Sequence, residues 1–337
     1  MVREIHLKNF GVIGQLDCNQ LGSINLIIGP NQSGKTTLVK SLYAAIRTTE
    51  QYKRGKENRL VNQILSDKLY WTFQTNSLGN LVKKGENEGL SFKMCSLQDG
   101  EEFSYSFSSS ATKLVSTCSN SFSPTNTNSI FIPAKEVLSL REIILDSRNR
   151  YMEFGFEDPY LDLVRAFRPA TKGKNYKAFS VARQELKNVL HGEIAYSKEK
   201  NDWLFIDSSR RVYEVAMTSE GVKKLSILSA LLGNRYLSNK SIVIIDEVEA
   251  NLHPSMISRF MEIIVLLADA GIQFFLTSHS YFVIKKLYIL AHKHNMDIPV
   301  ISFSADGSSE IFNLKTTMPK NAIIDESIEL YKEEIKL

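Results

Sequence analysis

The sequence predicts an α/β fold whose sheet is mainly parallel, and three stretches carry that prediction. Gly29-Pro30-Asn31-Gln32-Ser33-Gly34-Lys35-Thr36, followed by Thr37, fills G-x-x-x-x-G-K-[ST] in full, between an apolar run over 24–28 and a helical pattern over 37–46, which is the phosphate loop expected of a P-loop NTPase. Residues 242–245 are a continuous β-branched run that closes in Asp246-Glu247, and 272–276 form a second buried run that closes in Thr277-Ser278-His279. Strands of this kind deliver polar residues at their C-terminal edge, where a ligand sits.

Before the loop, residues 4–13 alternate apolar and polar positions up to a glycine turn, and 15–28 read as a second extended stretch. Lys8-Asn9-Phe10, between them, fits either a resting place for a base or ribose or an ordinary edge-strand turn. Residues 51–59 hold Lys53, Arg54, Lys56 and Arg59, a basic run that suits a solvated surface or a nucleic-acid contact. A helix is expected over 61–71, antiparallel strands over 90–116, a Ser/Asn/Thr/Pro loop over 119–129 and a strand over 129–133. Residues 134–168 and 176–190 read largely as helices around a basic turn, 169–174, with Lys172, Lys174 and Lys177 nearby as a further place for DNA or a partner. Residues 203–206 and 212–215 form a strand pair. From Thr218, the apolar residues Val222, Leu225, Leu228, Leu231 and Leu232 recur at helical spacing, with Ser219 at the helix start as a cap or an anion contact. A helix over 255–270, strands over 297–303 and 310–314 and a helix over 323–335 follow.

The residues at the three tips have definite chemistry. Glycines let backbone N–H groups close around phosphate oxygens, the helix start adds positive potential, and a lysine neutralises the far phosphates. Lys35 is expected to reach the β- and γ-phosphates, and the Thr36 hydroxyl to ligate Mg2+. Asp246 suits the metal, and Glu247 suits an attacking water that must be oriented or deprotonated. His279 closes a strand on the same edge, so a catalytic part for it outweighs a packing one.

Length and composition narrow the classes. A chain of 337 residues, 43% hydrophobic and 23% charged, suits one large or two closely joined globular domains. Neither a membrane span nor a signal peptide is read, and a cytoplasmic protein is expected. Cys18, Cys95 and Cys118 lack metal-ligand spacing, which argues against zinc. A net charge of +4 permits nucleic acid without requiring it.

Taken in order, GPNQSGKT, TSEGVKK, IVIIDE with EANLHP, and LTSHS resemble the ABC-type ATPase head of the SMC, RecF and OLD families, and compact members without a long coiled coil or TOPRIM nuclease most of all. The resemblance implies ATP and Mg2+ as ligands and ATP hydrolysis as the activity. It implies a homodimer joined through the ATP sites, or a higher oligomer, in which Ser219 and Gly221 meet the γ-phosphate held by the opposite subunit. Lys223 accompanies that signature, His279 would be the switch histidine, and 251–253 the D-loop. The organisation implied is one composite domain: an N-terminal lobe with a β-subdomain (1–130), a helical insertion with the signature (131–230), and a C-terminal lobe (231–337).

The match has departures. The signature reads S-E-G-V-K, with Val222 where a glutamine is usual, and the Mg2+-sensing glutamine falls either at Gln74 or in the Lys135-Glu136 region, the second being favoured. Only 58 residues follow His279, too few for an added nuclease domain, so a separate effector, a nuclease or toxin, is expected, with DNA repair or antiphage defence as the setting. Rival readings are a nucleotide-gated scaffold with little turnover and a transporter ATPase subunit.

Overall fold

The computed structural model describes every residue except 97–99, 170–172, 174, 198, 200 and 201. In chain order, β1 (Val2–Phe10), β2 (Ile13–Cys18) and β3 (Ile24–Ile28) lead into α1 (Lys35–Gln51) and α2 (Val61–Phe73). Then come β4 (Leu90–Ser96), β5 (Glu102–Phe107), β6 (Thr117–Asn120), β7 (Ile130–Ile132), α3 (Arg141–Asn149), α4 (Asp158–Ala166) and α5 (Lys177–Leu190). The chain continues through β8 (Gly192–Ser197), β9 (Asp202–Asp207), β10 (Val212–Glu214), α6 (Glu220–Gly233), β11 (Ile242–Ile245) and α7 (Pro254–Asp269). The rest is β12 (Gln273–Ser278), α8 (Tyr281–Lys293), β13 (Pro299–Phe303), β14 (Ser309–Asn313) and α9 (Ala322–Ile335).

The apolar runs become one sheet of order β14-β13-β3-β12-β11-β7, parallel except for β14. Both its faces are covered, which is why β3, β7, β11, β12 and β13 are buried at every position. Alternation sorts their side chains into two cores. Leu26, Ile28, Val243, Ile245, Phe274 and Leu276 pack with α4 to α8, whereas Ile27, Ile244, Phe275, Ile301 and Phe303 pack with α1, α2 and the inner face of a second sheet. That second sheet, β2-β1-β4-β5-β6, is antiparallel and turns Ile5, Leu7, Phe92, Met94, Phe103 and Tyr105 inward. Gln273 ties the two sheets together: its side chain accepts from the Val2 N–H at 2.9 Å and donates to the carbonyls of Val2 and Gly22 at 2.7 and 2.9 Å.

Three features go beyond the sequence reading. The insertion after β7 carries a three-stranded antiparallel sheet, β10-β9-β8, of which β8 was not expected. Residues 134–140 and 150–157 are not helical, so the expected 134–168 helix is two short ones. An unexpected helix, α8, follows His279 directly. The turn over 169–174 includes Lys172 and Lys174, which lie outside the described residues. In the basic run, Arg54 is held by the carbonyls of Asn126 and Thr127 and the side chain of Asn128, and Arg59 by Glu57 and Asp67.

A buried ion network fixes α1 to α2, α3 and α4. The Asp162 carboxylate accepts from Tyr43 at 2.7 Å and Arg47 at 2.9 Å, with Lys68 3.5 Å away; Lys68 and Arg148 share Asp158, and Arg148 stacks on Trp71. Burial alone would raise the Asp162 pKa, but Lys68 and Arg47 hold it well below the usual carboxylate range. Asp162→Ala leaves buried cations without their partner, and the expected cost is about 3–5 kcal/mol in urea unfolding. The sign with pH follows from the depressed value. The stabilisation is complete above the unfolded-state pKa and is lost as pH falls through the folded one, so Asp162→Asn should flatten the acid limb of the stability curve.

Candidate functional site

Because β3, β12, β11 and β7 run parallel in a shared register, their C-terminal ends lie side by side. Ile28 pairs with Ser278, Leu276 with Ile245, and Ile245 with Ile132. The next residues of each strand therefore meet at one edge: Gly29, His279, Asp246 and Pro133.

The loop from Gly29 to Thr36 is shaped by two left-handed glycines, Gly29 at φ 149° and Gly34 at φ 110°. A Cβ on Gly29 would lie 2.7 Å from the Phe303 carbonyl, and one on Gly34 2.7 Å from the Ile13 side chain, so the loop is clamped between β13 and the β1–β2 hairpin. Asn31 to Gly34, each with a backbone N–H, lead into the start of α1, with Gln32 also left-handed at φ 64°. Lys35 is buried, and its ammonium folds back over the loop onto the carbonyls of Gly29 at 2.9 Å and Pro30 at 2.7 Å. Burial pulls its pKa down, while Asp246, Glu247 and Glu249 pull it up. The Ser33 hydroxyl is buried with no hydrogen-bond partner among the described residues. An orphaned hydroxyl inside a cradle that two side chains would fill is what a phosphate chain requires, so the residues fit a nucleoside triphosphate.

The metal side is equally defined. The Thr36 hydroxyl lies 3.4 Å from one Asp246 oxygen, and Thr277 donates to the other at 2.6 Å. A hydroxyl beside a carboxylate oxygen suits a hard cation such as Mg2+, which takes few protein ligands and completes its shell from phosphates and water. Among the described residues no cluster of three or more His, Cys, Asp or Glu is placed to hold a metal on its own. Thr277 also accepts from the Glu247 N–H at 2.8 Å, so one threonine orients both acids of the β11 tip. Glu247 itself is exposed and left-handed at φ 45°, a conformation that costs a non-glycine residue about 1–2 kcal/mol. His279 is half-buried beside them; burial first, then Lys35, holds its pKa below the usual imidazole value.

The signature segment stands apart. Ser219 is exposed and caps α6, accepting from the Val222 N–H at 3.4 Å. Gly221 is buried under the D-loop, where a Cβ would come within 2.5 Å of the Asn251 carbonyl. Lys223 is buried and paired with Glu220 at 3.0 Å. Among the described residues no hydrogen bond joins Ser219, Gly221, Lys223 or Thr37 to a loop residue between Gly29 and Gly34. Thr37 instead lies against the Gly11 turn, next to Asn9, whose side chain points to the carbonyls of Glu88 and Gly89. Residues 133–136 leave β7 beside Asp246, whose N–H donates to Ile132, whereas Gln74 caps the end of α2.

Three participants carry little signal in the sequence. Thr277 stands there only as part of a strand tip, and its place opposite Asp246 on a neighbouring strand is a consequence of the parallel register. Lys224 is buried, donates to the backbone carbonyls of Asp246 and Glu247, and is pushed down to about 8 by burial. It thus joins α6 to the β11 tip. Glu249 accepts from the His279 N–H at 2.6 Å and had no signal beyond its spacing from Glu247.

Residues 135–285 match the family described as "AAA domain, putative AbiEii toxin, Type IV TA system". A curated relative, the DNA double-strand break repair Rad50 ATPase of Nanoarchaeum equitans (strain Kin4-M), is 35% identical over 74 residues, 20% of this chain and 9% of that protein. The match therefore spans only a small part of the relative's length. Among solved structures, the SMC head bound to the C-terminal winged-helix domain of ScpA superposes with a TM-score of 0.53 at 14% identity, covering 93% of this chain and 97% of that one. The SMC head domain from Thermotoga maritima gives 0.49 at 13%, covering 93% and 98%. The fold is that of an SMC head domain. None of the helices among the described residues is long and apolar enough to cross a membrane.

Proposed function

We propose that this chain, an ABC-type ATPase head of the SMC and RecF class by its fold, binds and hydrolyses ATP with Mg2+ and does so as a head-to-head homodimer. The observation that carries this reading is the single sheet edge that gathers the phosphate loop, the Thr36 and Asp246 oxygens, Glu247 and His279. Gly29 to Thr37 would hold the phosphates, with Lys35 leaving the loop carbonyls for the β- and γ-oxygens. Thr36 and Asp246 would hold Mg2+, which when bound draws negative charge from the phosphates. Glu247 would orient and deprotonate the attacking water, and His279 would donate a hydrogen bond from a ring N–H to the γ-phosphate. Ser219, exposed and unconnected to its own loop, would serve the opposite subunit's ATP, with Gly221 and Lys223 behind it. The three stretches 1–130, 131–230 and 231–337 would then act as one composite domain.

The match to a double-strand break repair ATPase and to a toxin-linked family supports a cytoplasmic, DNA-linked role in repair or antiphage defence, with a separate nuclease or toxin as effector. One observation favours a low-turnover, ATP-gated scaffold instead: Glu247 is exposed on left-handed backbone, and Thr277 and Lys224 hold its main chain rather than its carboxylate. Steady-state phosphate release separates the two. Turnover that stops when Mg2+ is chelated supports the ATPase; tight ATP binding with no release supports the scaffold.

A further inference from the structure

We infer that Glu249 is a positioning residue that couples the D-loop, and hence the signature helix, to His279. The inference rests on the ATPase reading above and concerns how that site is held.

Three contacts form a continuous path. Gly221, at the start of α6, has no room for a Cβ because the Asn251 carbonyl would lie 2.5 Å from it. Asn251 is left-handed at φ 62° and ends a tight turn whose hydrogen bonds run from Ala250 N–H to Glu247 and from Leu252 N–H to Glu249. From inside that turn the Glu249 carboxylate reaches the next strand and accepts the His279 N–H at 2.6 Å, a short charge-assisted bond to the residue that follows β12. A shift of the D-loop against α6 therefore pulls on the backbone of His279.

Stability alone does not account for this carboxylate. Its second oxygen is buried with no hydrogen-bond partner among the described residues, and burying half-satisfied charge is unfavourable. The position of the group is what its neighbours use: its charge acts on Lys35, Lys224 and His279, one from the phosphate loop, one from the signature helix and one from the β12 tip. A glutamine would keep an acceptor for the His279 N–H, and an alanine would not.

The test uses the full chain with Glu249→Gln and Glu249→Ala, and has two arms. In nucleotide-free protein, amide exchange of the 277–281 peptide should quicken at least tenfold in Glu249→Ala and by less than threefold in Glu249→Gln, which tests the clasp without any ATPase assay. In the second arm, ATP affinity should stay within about threefold for both variants. The kcat should fall by about tenfold or more in Glu249→Ala, and the glutamine should recover all but about threefold of it. Unchanged exchange in Glu249→Ala removes the clasp whatever the activity. Altered exchange with wild-type kcat removes the coupling. A wild-type chain that neither binds nor hydrolyses ATP overturns the ATPase reading and with it this coupling, while the exchange arm still reads the contact.

Discussion

Lys35→Ala should cost the chain most of its ATP affinity, about 2–5 kcal/mol, or roughly thirtyfold to several thousandfold in Kd. The reason is in the loop's own hydrogen bonds. The ammonium lies over the loop, on the carbonyls of Gly29 and Pro30, where burial pulls its pKa down and Asp246, Glu247 and Glu249 pull it back up. A triphosphate entering the cradle offers stronger acceptors at the same place, and alanine leaves them facing backbone dipoles alone. The fold should survive, because Lys35 contributes two hydrogen bonds to a loop that Gly29 and Gly34 already fix by close packing. Titration calorimetry with ATP, alongside a thermal melt, checks both halves. Near-wild-type affinity in a folded variant would sink the assignment of the loop.

Glu247→Gln should leave ATP binding within a few fold of wild type and lower turnover by about 10²–10⁴-fold, the usual range for removing a general base. The amide is nearly isosteric and the residue is exposed, so neither packing nor the Asp246 oxygens change. Its backbone N–H keeps the Thr277 hydroxyl, which holds the turn in place. Single-turnover kinetics separate the chemical step from binding and release. Turnover close to wild type would move the base elsewhere, and Glu249 would be the next residue to examine.

Much of this site was legible in the sequence because its parts are short-range. The phosphate loop, the Asp-Glu pair and the strand-ending histidine each lie within a few residues of a buried run, and period and punctuation are enough to find them. What joins them is long-range. Thr277 reaches Asp246 only because β11 and β12 lie in parallel register, Lys224 meets the β11 tip only because α6 packs there, and Glu249 meets His279 across 30 residues. No pattern along the chain encodes such contacts. The fold shows the same division. The buried strands declare themselves by apolar composition, whereas β8, with half-buried side chains at 193–197, carries too little alternation to be seen beside α5. α8 begins two residues after the site histidine and does carry a helical pattern along the chain, in Val283, Ile284, Leu287, Leu290 and Ala291.

The central claim, that two chains share each ATP, is tested most directly by the mass of Glu247→Gln in light scattering with and without Mg-ATP. The shared site predicts a shift from monomer to dimer on adding Mg-ATP, larger than in wild type because bound ATP persists. Adding Ser219→Arg should abolish the shift while each chain still binds ATP, since bulk and charge at an exposed helix start block only the opposing subunit. A mass that does not change with nucleotide, or a shift that survives Ser219→Arg, would contradict the shared site.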